Sequence, residues 1–136
     1  MMMTVKSLAA AANVTPDTVR HYVRVGLLHP ERNPQNGYRQ FSKSDVGRLR
    51  FITLAKSLGF TLSEITEVFA DAEAGDSPCP RVREFIQRHI RENRQQIDEL
   101  LTLQTRMELS ARQWQDMDDG MPHGDSICWL IEAIDA

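Results

Sequence analysis

Between Arg81 and Met117 the chain runs for 37 residues without a glycine or a proline, and its charged residues recur at helical spacing. A helix of that length is roughly 55 Å long, too long for a domain of this size to cover. Its apolar residues follow a seven-residue pattern: Ile86, Asn93, Leu100, Met107 and Trp114 share one heptad position, and Ile90, Ile97, Gln104 and Ala111 share the other. Such a seam predicts a second chain lying against it as a coiled coil. The polar Asn93 and Gln104 within it are of the kind that fixes register and partner orientation. The competing arrangement, one helix folded back on its own N-terminal domain, requires fewer apolar positions so far along the helix.

Ahead of this rod the sequence is a series of short helices with readable boundaries. Thr4 caps a helix through about Ala12 that Asn13 ends. Thr15-Pro16-Asp17 supplies an N-cap, an N1 proline and an acidic first turn, so a second helix is expected from Pro16 to about Val25, stopped by Gly26. Two short helices across a tight turn form a candidate helix-turn-helix. Asn36-Gly37 then predicts a hairpin, with Leu27–Leu28 and Tyr38–Phe41 as the strands of a small wing. Ser42 with Asp45, and Thr61 with Glu64, open two further helices that end at Gly59 and near Gly75. The segment 76–80, DSPCP, reads as a hinge.

Charge divides along the chain. The net charge is −3, yet residues 1–70 carry nine Lys/Arg against five Asp/Glu, and residues 71–136 carry seven against fourteen. The first half suits a polyanion and the second a cation. Two cysteines, Cys79 and Cys128, are too few for a disulfide scaffold and point to metal binding, redox sensing or burial. No apolar run approaches a membrane span, and MMMTVKSLAAAANV has no secretory block, so a cytoplasmic protein without membrane contact is expected. No Ser/His/Asp set or phosphate-cradling glycine loop supports an enzyme.

On the second helix Val19 and Val23 face the core, which leaves Asp17, Thr18, Arg20, His21 and Arg24 directed outward, toward a major groove. Arginines four apart take a guanine edge or grip phosphate. The residues VTPDTVRHYVRVGLLHPER (14–32), NGYRQF (36–41) and DVGRLRFITLAKSLGFTLSEI (45–65), followed by the long helix, closely resemble the MerR family of bacterial transcription regulators.

The resemblance implies a mainly α fold: a winged helix-turn-helix head (1–75), a hinge (76–80), a dimerisation helix (81–117), and a C-terminal effector loop and short helix (118–136). It adds Thr15 and Tyr22 to the DNA-binding set and makes Tyr38 and Arg39 a backbone-gripping pair at the wing. His21 stands where many members carry a second tyrosine, a departure that bears on one DNA contact. The implied partners are promoter DNA, a second copy of the chain, and RNA polymerase held at a promoter with an over-long spacer.

In metal-responsive members, a cysteine at the start of the dimerisation helix of one subunit meets ligands in the C-terminal loop of the other. Cys79, His123 and Cys128 stand at those positions, with Asp119 as the expected fourth ligand and Asp118 behind it. The first loop position, usually cysteine, is Asp118-Asp119 here. That loss disfavours two-coordinate copper(I) and favours a divalent ion, zinc first, with cobalt, cadmium or nickel as alternatives. Thiol oxidation at Cys79, or an organic ligand between domains, are the competing signals. The terminal ICWLIEAI is expected to form a short amphipathic helix with Ile127, Leu130, Ile131 and Ile134 turned inward.

Overall fold

The computed structural model describes residues 2–134. The last two positions of the expected C-terminal segment, 135–136, therefore lie outside the described residues. Elements run α1 (Val5–Ala12), α2 (Pro16–Arg24), β1 (Glu31–Arg32), β2 (Arg39–Gln40), α3 (Lys43–Ser57), α4 (Leu62–Glu73), α5 (Cys79–Gln115) and α6 (Trp129–Glu132). The chain divides into two compact units within α5, Met1–Gln87 and Arg88–Ala136.

Local chemistry sets the helix boundaries of the first unit. The hydroxyls of Thr4 and Thr15 accept the Ser7 and Thr18 N–H groups, each at 3.1 Å. Asn13 adopts the left-handed conformation at φ 56° that closes α1 and turns the chain into α2. Thr61 and Glu64 exchange two hydrogen bonds, and Asp45 accepts the Ser42 N–H at 2.9 Å.

The core of this unit is Leu8, Val19, Leu27, Leu28, Phe41, Leu49, Ile52 and Ile65, all almost fully buried. Each contributes about 1.5–3 kcal/mol of burial. Phe85 from the first turns of α5 joins it, edge-on to Phe60 with ring centroids 6.3 Å apart. Arg81 fastens the same turn to α4, donating to Asp71 at 2.6 and 3.2 Å.

The wing differs from expectation. Its strands are Glu31–Arg32 and Arg39–Gln40, paired antiparallel with Arg32 opposite Arg39, whereas Leu27 and Leu28 are core residues. Consecutive apolar residues that are both buried do not alternate across a sheet, which is why the earlier pair forms no strand. The turn is also longer than a two-residue hairpin. Gly37 alone takes positive φ, at 73°, and its N–H donates to Asn33 O at 2.8 Å.

α5 opens at Cys79, two residues ahead of the expected start, so Cys79 and Pro80 stand in its first turn, where a missing proline N–H is harmless. Along its portion in the second unit, the seam residues Ile90, Ile97, Leu100 and Met107 are all exposed. Trp114, also expected on the seam, instead donates from its indole nitrogen to Leu130 O at 3.0 Å.

The C-terminal helix corrects a second expectation. α6 is a single turn; Ile127, at 82% exposure, and Ile131 are not turned inward, whereas Leu130 is half-buried and Ile134 lines a groove with Leu103, Met107 and Trp114. One turn is too short to place all four residues on one apolar face, and Trp129 makes its own contacts with the preceding loop. Its indole N–H donates to Asp118 O at 3.1 Å, and its ring lies so close to Gly120 that a methyl group there would collide with it.

Candidate nucleic-acid interface and metal-ligand loop

α2 presents the expected face. Val19 is buried and Val23 partly so, while Asp17, Arg20, His21 and Arg24 are exposed and Thr18 half-buried. Thr15 and Thr18 shape the start of the helix, with hydroxyl oxygens 2.8 Å apart. Asp17 accepts a hydrogen bond from Arg20 at 2.8 Å, an exposed pair that orients the guanidinium and contributes little stability.

Tyr22 occupies a different place from its neighbours. Its ring is buried in the core and burial raises its phenol above the ordinary value, while its carbonyl accepts the Leu27 and Leu28 N–H groups. Tyr38 is 73% exposed on the wing. Arg39 lies half-buried in β2 beside it.

A cleft of about 600 Å³ opens between α1, α2 and the wing, lined by Thr4, Val5, Lys6, Arg20, Arg32, Gly37, Tyr38 and Arg39. Four cationic side chains from four elements therefore surround one concavity, with no carboxylate in its lining. Such a surface concentrates positive potential where a polyanion backbone sits. Lys6 and Arg32 extend the basic set recognised in the sequence. The signal for Arg32 was its place opposite Arg39, visible only once the strand register is known; its Nη1 donates to Gly37 O at 3.0 Å and braces the wing loop.

Arg48 is a second residue that sequence reasoning passed over. Its Nε donates to Leu27 O and its Nη1 to Glu73, each at 3.0 Å, and its guanidinium lies 4.1 Å from the Phe69 ring centroid. One side chain on α3 thus joins the turn after α2 to α4.

Cys79 is exposed at the first residue of α5, and Asp119, His123 and Cys128 fall in the loop after its last residue. His123 and Ser126 form a two-way backbone bridge at 3.2 and 2.9 Å, which folds the loop back toward Cys128 at the N-cap of α6. The Trp129–Asp118 bond draws the Asp118-Asp119 pair to the same turn. Two thiols, an imidazole and a carboxylate are donors of the type a divalent zinc-like ion takes, and none of these side chains is engaged with another described residue. Among the described residues, the single chain gathers no cluster of three such donors.

The missed residue in this loop is Glu132. Its carboxylate accepts from Ser126 Oγ at 2.6 Å and from the Ile127 N–H at 2.9 Å. The Ser126 hydroxyl foremost, then the backbone of Ile127, holds its carboxyl below the ordinary value.

Residues 3–72 match the MerR HTH family regulatory protein family, and residues 46–109 match the family described as MerR, DNA binding. The HTH-type transcriptional regulator ZntR of Escherichia coli (strain K12) is 30% identical over 135 residues, 98% of this chain and 93% of its own. The mercuric resistance operon regulatory protein of Bacillus cereus is 28% identical, covering 98% of both chains. Among solved structures, the regulator PbrR691 from Ralstonia metallidurans CH34, in complex with lead(II), superposes with a TM-score of 0.75 over 96% of this chain and 98% of its own, at 22% identity. That last likeness speaks to the fold. No helix among the described residues is long and apolar enough to cross a membrane. The chain belongs to the MerR family, whose members are DNA-binding transcription regulators and not enzymes.

Proposed function

We propose that this chain is a homodimeric, metal-responsive transcription regulator that binds a two-fold symmetric promoter and distorts an over-long spacer when a divalent metal, zinc first, is bound. The observation that carries the reading is the placement of the candidate donors along the chain: Cys79 is the first residue of α5, and Asp119, His123 and Cys128 follow its last. Two copies of α5 lying antiparallel bring the first residue of one beside the loop of the other. The exposed seam of Ile90, Ile97, Leu100 and Met107 supports that pairing, because apolar residues on successive turns gain by covering one another.

In this reading a bound ion is held by Cys79 of one copy with His123, Cys128 and Asp119 of the other, and supplies the pull that favours one head orientation. Arg20, His21 and Arg24 on α2 face the major groove, and Tyr38 and Arg39 hold the flanking backbone, with Thr15, Asp17 and Thr18 ordering the start of α2. Residues 76–80 connect the head (1–75) to the rod (81–117) and carry Cys79, so movement of the thiol toward the loop (118–136) turns the head. Two heads turned together bend and untwist the DNA between them, which aligns the promoter for RNA polymerase. Binding acts only through its preference for the distorting state, with a coupling of about 1–3 kcal/mol. The relatives named for zinc and mercury support a metal signal.

Titration of zinc, cobalt, cadmium and copper(I) against transcription in vitro tests the reading. Zinc or another divalent ion should activate, and copper(I) should not. Activation by peroxide with no response to any metal supports thiol oxidation instead, the reading that the exposed Cys79 in the first turn of a long helix also allows.

A further inference from the structure

We infer that Glu132 is a positioning residue for the metal loop: it clamps the backbone of Ser126–Cys128 and so sets where the Cys128 thiol is presented. The inference rests on the metal-sensing reading above. Two donors converge on one carboxylate, one on each oxygen: the Ser126 hydroxyl at 2.6 Å and the Ile127 N–H at 2.9 Å. The Glu132 N–H in turn donates to Cys128 O at 3.1 Å, so the segment 127–128 is held from both sides.

The loop has few other means of holding this shape. Ile127 is 82% exposed and buries almost no apolar surface, and α6 is one turn long. Ionised carboxylates form hydrogen bonds about twice as strong as neutral acceptors do, and Glu132 accepts two of them from residues 126–127. The second fixed point is the His123–Ser126 bridge, which ties the His123 backbone to the residue that Glu132 holds through its hydroxyl. Imidazole and thiol are thereby set by one acidic side chain that does not itself have to touch an ion. Outer groups that orient ligands change metal affinity without binding the metal.

Two measurements on the full chain test the assignment. Without metal, amide hydrogen exchange at Ile127 should quicken by about tenfold or more in Glu132→Ala, and by less in Glu132→Gln, whose carbonyl oxygen still accepts one bond. With cobalt(II) as the probe, Glu132→Ala should bind about 10–100-fold more weakly, with a diminished thiolate charge-transfer absorption. Unchanged exchange at the Ile127 amide overturns the clamp whether or not cobalt binds. Faster exchange with unchanged cobalt affinity overturns the positioning role and leaves the metal reading standing. Faster exchange in a protein whose wild type takes up no cobalt upholds the clamp and removes the metal reading.

Discussion

Replacing Arg48 with alanine removes three interactions at once, and the structure ranks them. The bond to Leu27 O comes from a charged donor to the backbone at the end of a buried turn, worth about 1.5–3 kcal/mol. The stack on Phe69 adds about 0.5–1 kcal/mol for a side chain that is still 20% exposed. The pair with Glu73 adds less than about 1 kcal/mol, because that carboxylate is largely in water. Arg48→Ala should therefore cost about 2–5 kcal/mol, and Glu73→Gln less than about 1 kcal/mol. At roughly 4 °C per kcal/mol for a chain of this size, Tm by circular dichroism should fall by about 8–20 °C in the first variant and by about 4 °C at most in the second. Arg48→Lys should recover part of the loss, since an ammonium reaches one partner and not all three. Operator affinity should fall alongside, because the Leu27 turn anchors the end of α2. Equal losses in Arg48→Ala and Glu73→Gln would refute the ranking and make the exposed ion pair the main fastening.

Arg20→Ala should weaken operator binding while leaving Tm within about 1 °C; if Arg20 meets phosphate, the slope of log affinity against log salt should drop by about one, and if it meets a base, discrimination at one position should relax instead. An unchanged operator affinity at physiological salt would remove Arg20 from the interface. Asp71→Asn should destabilise the α4–α5 joint in a pH-dependent way. The hydrogen bond from Arg81 holds the Asp71 carboxyl below its ordinary value, so its contribution is complete above the usual carboxylate range and is lost as pH falls through the lowered folded value. The difference between wild type and Asp71→Asn in urea denaturation should accordingly be largest near neutral pH and shrink in acid; a difference independent of pH would contradict the assignment.

The parts legible in the sequence are those that short-range chemistry determines. Thr4, Thr15 and Thr61 cap within three residues of themselves, and Asn13, Gly59 and Gly75 close helices by their own conformations, so α1 to α4 could be read directly. The heptads of α5 were equally plain, because a 3.5-residue period survives over many turns. The wing was misread because the Asn-Gly rule supposes a two-residue loop, whereas Pro34 and Gln35 extend this one and Leu27–Leu28 are claimed by the core. Arg48 joins partners 21 and 25 residues away, a relation no local pattern carries. The candidate donors Cys79, His123 and Cys128 were recognisable by residue type and by the family resemblance, but Glu132 was not, since its role follows from how the loop after α5 folds back on one turn of helix.

The central claim is that donors from two chains make one site, and mixing two damaged copies tests it most directly. Cys79→Ser and Cys128→Ser homodimers should each bind zinc poorly and fail to activate. Co-refolded together, the heterodimer should regain one bound zinc per dimer, because the copy with an intact Cys79 meets the copy with an intact loop. A heterodimer that binds no more zinc than its parents, or a protein that sediments as a monomer, would contradict the account.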